Sequence, residues 1–172
     1  MREGKFEDYT EEMMRKVTAA DKTAYFNFIQ VKAVRDKRMR YDGKKQLADP
    51  NTIYTQFKGI FQNCLQEKFV VLHLDSHLMP VGAQVAGIGC SDKCIVDITA
   101  VIRGAILSGA SSVIFMHNHP SMCKSPSSED KDLTERLVDG MRIVGIRALD
   151  HIIFTDEGYH SMRESGDAKF ED

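Results

Sequence analysis

The sequence has no tryptophan, four prolines and four cysteines in 172 residues, and no apolar run near the roughly 20 residues that a membrane-crossing helix needs. The longest apolar stretches, around Phe69 to Leu72 and Val113 to Met116, have the length of buried strands, so no membrane span is expected. Cys64, Cys90, Cys94 and Cys123 contain no C-x-x-C pair and are too few to staple a chain of this size, which points to reduced thiols in a cytoplasmic protein. Charge of one sign is also missing: 23 Lys+Arg face 25 Asp+Glu, a net charge of −2. That balance excludes a chain-wide attraction to nucleic acid or anionic lipid and leaves only local patches. Residues 1–10 mix Arg2, Glu3, Lys5, Glu7 and Asp8 without the apolar core of a secretory signal, so export is not expected. What is present, 42% hydrophobic and 28% charged residues, is the composition of one globular domain with a terminal arm.

The expected organisation has three parts. Residues 1–45 read as a helical arm, with Thr10 and Asp21 as caps and Tyr25, Phe28 and Ile29 on one side of the second helix. This arm ends in a basic stretch containing Lys32, Arg35, Lys37, Arg38, Arg40, Lys44 and Lys45. A solvated helix end and linker is the plainer reading of that stretch, and a weak nucleic-acid contact the alternative. The main domain is placed at 46–166 and a polar, frayed tail at 167–172. Within the main domain, Asp49-Pro50 predicts a helix start with Ile53, Phe57, Ile60, Phe61 and Leu65 as its apolar face. Strands follow at 69–75 and from about 79 to 87, with a turn at Ser76-His77. A helix over 98–109 then carries Ile98, Val101, Ile102, Ala105 and Ile106 at helical spacing and stops at Gly109. Next come a buried strand at 112–116, a helix from Ser127 or Ser128 to about Gly145, and a hairpin of strands at 149–154 and 159–162 turning at 155–158. This order predicts an α/β fold, a mixed sheet flanked by helices.

Chemistry concentrates in His117-Asn118-His119-Pro120 and Ser127-Ser128-Glu129-Asp130. On an extended chain, period-two alternation puts His117 and His119 on one face and Asn118 on the other. Pro120 keeps His119 out of helical geometry. The connection of ten residues lets Asp130, in the first turn of the next helix, fold back as a third ligand. Two imidazoles and a carboxylate leave a fourth tetrahedral position open, as catalytic zinc sites do. Six histidines produce an H-x-H by chance in roughly one shuffled chain in five, so the pair alone is weak and the conjunction carries the weight. Ser127-x-x-Asp130 also reads as a helix capping arrangement, and capping is compatible with ligation.

Together with Leu133-Thr134-x-x-Leu137, Leu149-Asp150-His151-Ile152-Ile153 and Tyr159-x-Ser161-x-Arg163-Glu164, these residues resemble the RadC family, a branch of the JAB/MPN metalloprotease fold. The spacing H-x-H, seven residues, Ser, two residues, Asp matches the JAMM motif of that fold. The resemblance spans about residues 49–166 and implies a JAB/MPN, cytidine-deaminase-like architecture. It also implies Zn2+ held by His117, His119 and Asp130, with Ser127 hydrogen-bonding near the reacting centre. It further implies metal-assisted hydrolysis of peptide or isopeptide bonds, with a polypeptide substrate or protein partner and a DNA-repair association. The helix-hairpin-helix part of longer RadC members is not recognisable in residues 1–45. One position departs from the pattern. Aligning Val85-Ala-Gly-Ile-Gly89 on its glycine puts Gln84 where the family's general-base glutamate is expected. An amide cannot accept the proton, and general-base catalysis is typically worth about 10²–10⁴-fold. Metal binding is therefore better supported than turnover, and a catalytically silent metal-binding module is the alternative function.

Other residues carry weaker signals. Cys123, in the loop between the ligands, reads as an ordinary loop cysteine, with an extra thiolate ligand as the alternative. Cys90 and Cys94 read as small buried hydrophobes rather than a second zinc site. His151 is either a strand histidine with one hydrogen bond or a support for the metal ligands. His73, His77 and His160 have no companion spacing and receive no role.

Overall fold

The computed structural model describes Tyr41 and residues 46–89 and 95–170. The expected helices within 10–38, the cations of the basic stretch, and Cys90 and Cys94 lie outside the described residues.

Helix α1, Pro50–Phe57, starts where proline predicts: Asp49 accepts from the Thr52 amide, and Pro50 occupies the first turn, where its missing N–H costs nothing. Such a cap is worth about 1 kcal/mol. Ile53 and Phe57 are buried, but the helix gives way to a 3-10 turn at Lys58–Ile60. Leu65 is consequently 89% exposed and does not belong to the apolar face that the spacing suggested.

Five strands follow: β1 Lys68–Leu74, β2 Pro80–Ile88, β3 Ser112–Asn118, β4 Arg147–Thr155 and β5 Gly158–Ser161. They form one sheet in the order β2-β1-β3-β4-β5. The β1–β2 turn is held by the Asp75 carboxylate, which accepts from the amides of His77 at 2.8 Å and Met79 at 3.0 Å. Among the described strands, only β3 and β4 pair in parallel. A parallel pair needs a crossover, and helix α3, Ser128–Ile143, supplies it. Helix α2, Ile98–Ser108, begins on Asp97, which accepts from Thr99 and Ala100, and ends on left-handed Gly109. A one-turn helix α4, Met162–Ser165, closes the domain.

The sheet separates two cores by strand alternation. Val70, Leu72, Leu74, Ile114, Met116, Ile152 and Phe154 pack toward α1. Phe69, Val71, Val113, Phe115 and Ala148 pack toward α2 and α3, which contribute Val101, Ala105, Leu137 and Met141. Each fully buried Val, Leu or Phe contributes about 1.5–3 kcal/mol. With both faces covered, β1 beyond Lys68 and all of β3 are buried, and their centres read as continuous apolar runs, Phe69–Leu72 and Val113–Met116. The register skips a residue of β4 between Val113 and Ile114. This bulge leaves Asp150 on the α1 side and turns His151 toward α3.

The start of the expected frayed tail is anchored. Asp167 pairs with Lys131 of α3 at 2.7 Å and with His160 at 2.8 Å, and Phe170 packs against the second core. The observed mixed sheet flanked by helices is the predicted fold class.

Candidate metal centre

β3 delivers His117 to the α2/α3 side of the sheet, two residues beyond Phe115. The imidazole is buried and lies parallel to the Phe69 ring, centroids 6.1 Å apart. His119 sits just past the strand end, where its amide donates to the Phe154 carbonyl at 3.0 Å. Its Nδ1 donates to the Cys123 carbonyl at 2.6 Å. The loop that follows Pro120 thus fixes the ring from behind. As period two requires, the rings converge, with their Nε2 atoms 2.8 Å apart. Asn118 points elsewhere: it accepts from the Lys68 amide and donates to the Gln66 carbonyl, clamping the start of β1 against the end of β3.

The third group arrives on α3. Ser127 is its N-cap and forms a reciprocal capping box with Asp130. Asp130 Oδ2 accepts from the Ser127 amide at 2.8 Å and the Ser127 hydroxyl at 2.6 Å. The same hydroxyl accepts from the Asp130 amide at 3.1 Å. Capping therefore aims the carboxylate rather than competing with it. Asp130 Oδ1 lies 3.3 Å from His117 Nε2, and Oδ2 lies 3.4 Å from His119 Nε2. Among the described residues, His117, His119 and Asp130 offer one ligand atom each within 4.8 Å of one another.

Behind His117 runs a line of contacts. His117 Nδ1 is 2.7 Å from His151 Nε2, His151 Nδ1 is 2.6 Å from Thr134 Oγ1, and Thr134 Oγ1 donates to the Asp130 carbonyl one helical turn back. His151 is fully buried, edge-on to Phe69 and Phe115.

Electrostatics divide the charges. Burial pushes His117 down to about 4, against the pull of Asp130, so the ring is neutral at neutral pH. Burial also acts on Asp130, but bonds to His119 and Ser127 and the proximity of His117 outweigh it and hold the carboxyl below the usual range. In His119 the lowering by burial is outweighed by Asp130 and the Cys123 carbonyl, and its affinity for a proton rises. Two imidazole nitrogens and a carboxylate thus face one another at close range. Lone pairs so placed repel unless a positive centre lies between them, and an N,N,O set is the donor chemistry of zinc and related divalent ions. The residues fit such an ion.

Of the other predicted residues, Cys123 contributes its backbone carbonyl, while its exposed thiol lies 3.9 Å from the Ser125 carbonyl and outside the three-residue group. Gln84 lies on β2 opposite Val71, and its amide donates to the Ala100 carbonyl of α2 at 3.2 Å. No hydrogen bond from Gln84 to the three-residue group occurs among the described residues. Thr134 enters the sequence analysis only within Leu133-Thr134-x-x-Leu137 and receives no role there. Its signal was its position four residues after Asp130 on the same helix face, which places its hydroxyl against the Asp130 carbonyl.

The fold and this group define the class: a mixed α/β domain with a two-histidine, one-carboxylate centre between a strand end and the following helix start. The chain belongs to the RadC-like JAB domain family, whose profile matches residues 47–167. It is 37% identical over 126 residues to a UPF0758 protein of Methanosarcina mazei, covering 73% of this chain and 55% of that protein. With a UPF0758 protein of Bacillus cereus the identity is 36% over 129 residues, covering 75% and 57%. The chain thus spans about half the length of these curated relatives. No helix among the described residues is long and apolar enough to cross a membrane.

Proposed function

We propose that this domain is a zinc-dependent hydrolase of peptide or isopeptide bonds, with His117, His119 and Asp130 as the ligands. The observation that carries this reading is the meeting of two Nε2 atoms, 2.8 Å apart, with a carboxylate. His117, His119 and Asp130 would hold the zinc, which when bound would supply a water acidified to a pKa of about 7 and a Lewis acid for the scissile carbonyl. The chain's own contributions are positional. His119 is locked by the Cys123 carbonyl, and Asp130 is aimed by the amide and hydroxyl of Ser127. The Ser127 proton is directed to Asp130, so stabilising an oxyanion requires that hydroxyl to turn away. An open cleft of about 380 Å3, lined in part by Tyr54, Lys58, Phe61, His119 and Phe154, reaches the three-residue group at His119 but is lined by neither His117 nor Asp130. The test is cleavage of peptide and isopeptide substrates by zinc-loaded protein. Loss of turnover on chelation and in Asp130→Ala supports the proposal; metal retained with no turnover on any substrate counts against it.

A second reading is favoured by one observation. Gln84 donates to Ala100, a bond that a glutamate carboxylate in its place could not make. A silent metal-binding module that recognises a polypeptide needs no base at this position. Robust hydrolysis by the wild type excludes that reading.

A further inference from the structure

The three-residue group includes neither His151 nor Thr134, yet together they form a buried line of polar contacts behind one of its members. A neutral imidazole carries one N–H and one lone pair, so its neighbours decide which nitrogen is free to bind a cation. Thr134 has a single hydroxyl proton and two candidate backbone or sulfur acceptors, the Asp130 carbonyl and Met162 Sδ at 3.6 Å. The carbonyl is the closer and stronger. With that proton given to the carbonyl, the hydroxyl oxygen accepts from His151 Nδ1–H at 2.6 Å. His151 then presents its Nε2 lone pair to His117 Nδ1 at 2.7 Å. His117 accordingly carries its proton on Nδ1 and turns a free Nε2 toward His119 and Asp130.

We propose that His151, oriented by Thr134, is a positioning residue that fixes His117 in the tautomer and ring orientation needed to bind a metal through Nε2. This inference rests on the reading of His117, His119 and Asp130 as metal ligands. It adds that the tautomer of His117 is set through His151 of β4 and Thr134 of α3, the latter bonded to the carbonyl of the third ligand one helical turn back. Asp130 contributes its carboxylate to the centre and its carbonyl to the end of the line, so α3 controls both sides of His117. The two histidine ligands are therefore held differently: His119 by one backbone carbonyl, His117 by a relay of side chains that substitution can interrupt.

The experiment compares wild type with His151→Phe, Thr134→Val and Thr134→Ser by zinc competition against a chromophoric chelator, with thermal melts to confirm folding. Phenylalanine preserves the aromatic packing, and valine preserves the shape of threonine without its hydroxyl. Expected are losses of roughly 10–100-fold in zinc affinity for His151→Phe and Thr134→Val, with Thr134→Ser close to wild type. Wild type that binds while His151→Phe and Thr134→Val bind equally well overturns the positioning role and leaves the metal centre standing. Wild type that binds no divalent ion overturns both. Should the variants not fold, nitrogen-15 NMR of the zinc-loaded wild type decides. His117 ligated at Nε2 and protonated at Nδ1, with His151 protonated at Nδ1, upholds the proposal. His151 protonated at Nε2, or His117 bound through Nδ1, overturns it.

Discussion

Gly104 of α2 leaves the space that the Gln84 side chain fills: a Cβ at position 104 would lie 1.9 Å from Gln84 Oε1. The amide is pinned there by its bond to Ala100, while Oε1 is buried with no hydrogen-bond partner among the described residues. In Gly104→Ala the flexible tip of Gln84 must move aside and give up its bond to Ala100, a loss of about 1 kcal/mol. The better helix propensity of alanine, also about 1 kcal/mol, largely offsets it, so the net destabilisation is expected to stay within about 1 kcal/mol. Gln84→Ala in the same background should recover much of the loss. Urea unfolding of the two single variants and the double variant measures the coupling, and simple additivity would show that Gln84 has another place to go.

Metal binding should appear as stability. An ion that binds only the folded chain raises the unfolding free energy by about 2.7 kcal/mol at a free concentration of 100 times Kd. Zinc is therefore expected to raise the Tm of the wild type and a chelator to reverse it. His117→Ala and Asp130→Ala should show no zinc-dependent shift, and elemental analysis should find their metal content lost.

His73 makes the domain sensitive to mild acid. Its ring is buried on β1, Nε2 has no hydrogen-bond partner among the described residues, and burial lowers its pKa from 6.5 to about 4. Between those values the unfolded chain binds a proton that the folded chain refuses, so stability falls as pH drops through this window. From pH 7 to pH 5 the share of His73 is about 2 kcal/mol. The variant His73→Phe should lose correspondingly less stability over that range, read from denaturant unfolding at each pH. Parallel profiles would show that the site admits a proton in the folded state.

Asp150, on the α1 side of the sheet, ties β4 to the junction of β5 and α4. Its buried carboxylate accepts from Ser161 Oγ at 2.6 Å, the His151 amide at 2.7 Å and the Arg163 amide at 3.1 Å. Burial raises its pKa, while the same three donors oppose the rise. Asp150→Ala strands those donors and should cost at least about 2 kcal/mol. Asp150→Asn keeps an acceptor for the amides and should cost less. Equal melting of Asp150→Ala and wild type would count against this role.

Local signals were legible where one element sufficed to generate them. Asp49-Pro50, Asp97, Gly109 and the Ser127-Asp130 box mark helix ends because capping acts within one turn. The H-x-H spacing predicted a shared face because alternation is a property of any strand. The end of α1 was misjudged because apolar spacing persists to Leu65 after the backbone has left the helix at Phe57. His151 could not be weighed from its strand alone: the partner that orients it lies 17 residues away, on a helix.

The amino-acid order therefore determined the types of the elements, the candidate ligands and the absence of an acidic group at position 84, since each depends on neighbours a few residues apart. Folding alone decided that Asp130 meets the two imidazoles, that Gln84 turns to α2, and that Thr134 and His151 line up behind His117. Those relations depend on a parallel β3–β4 pair with α3 crossing between them and on a one-residue bulge in β4 that sets which way His151 points. Such long-range geometry is fixed by packing across the sheet, where no short stretch of chain carries the information.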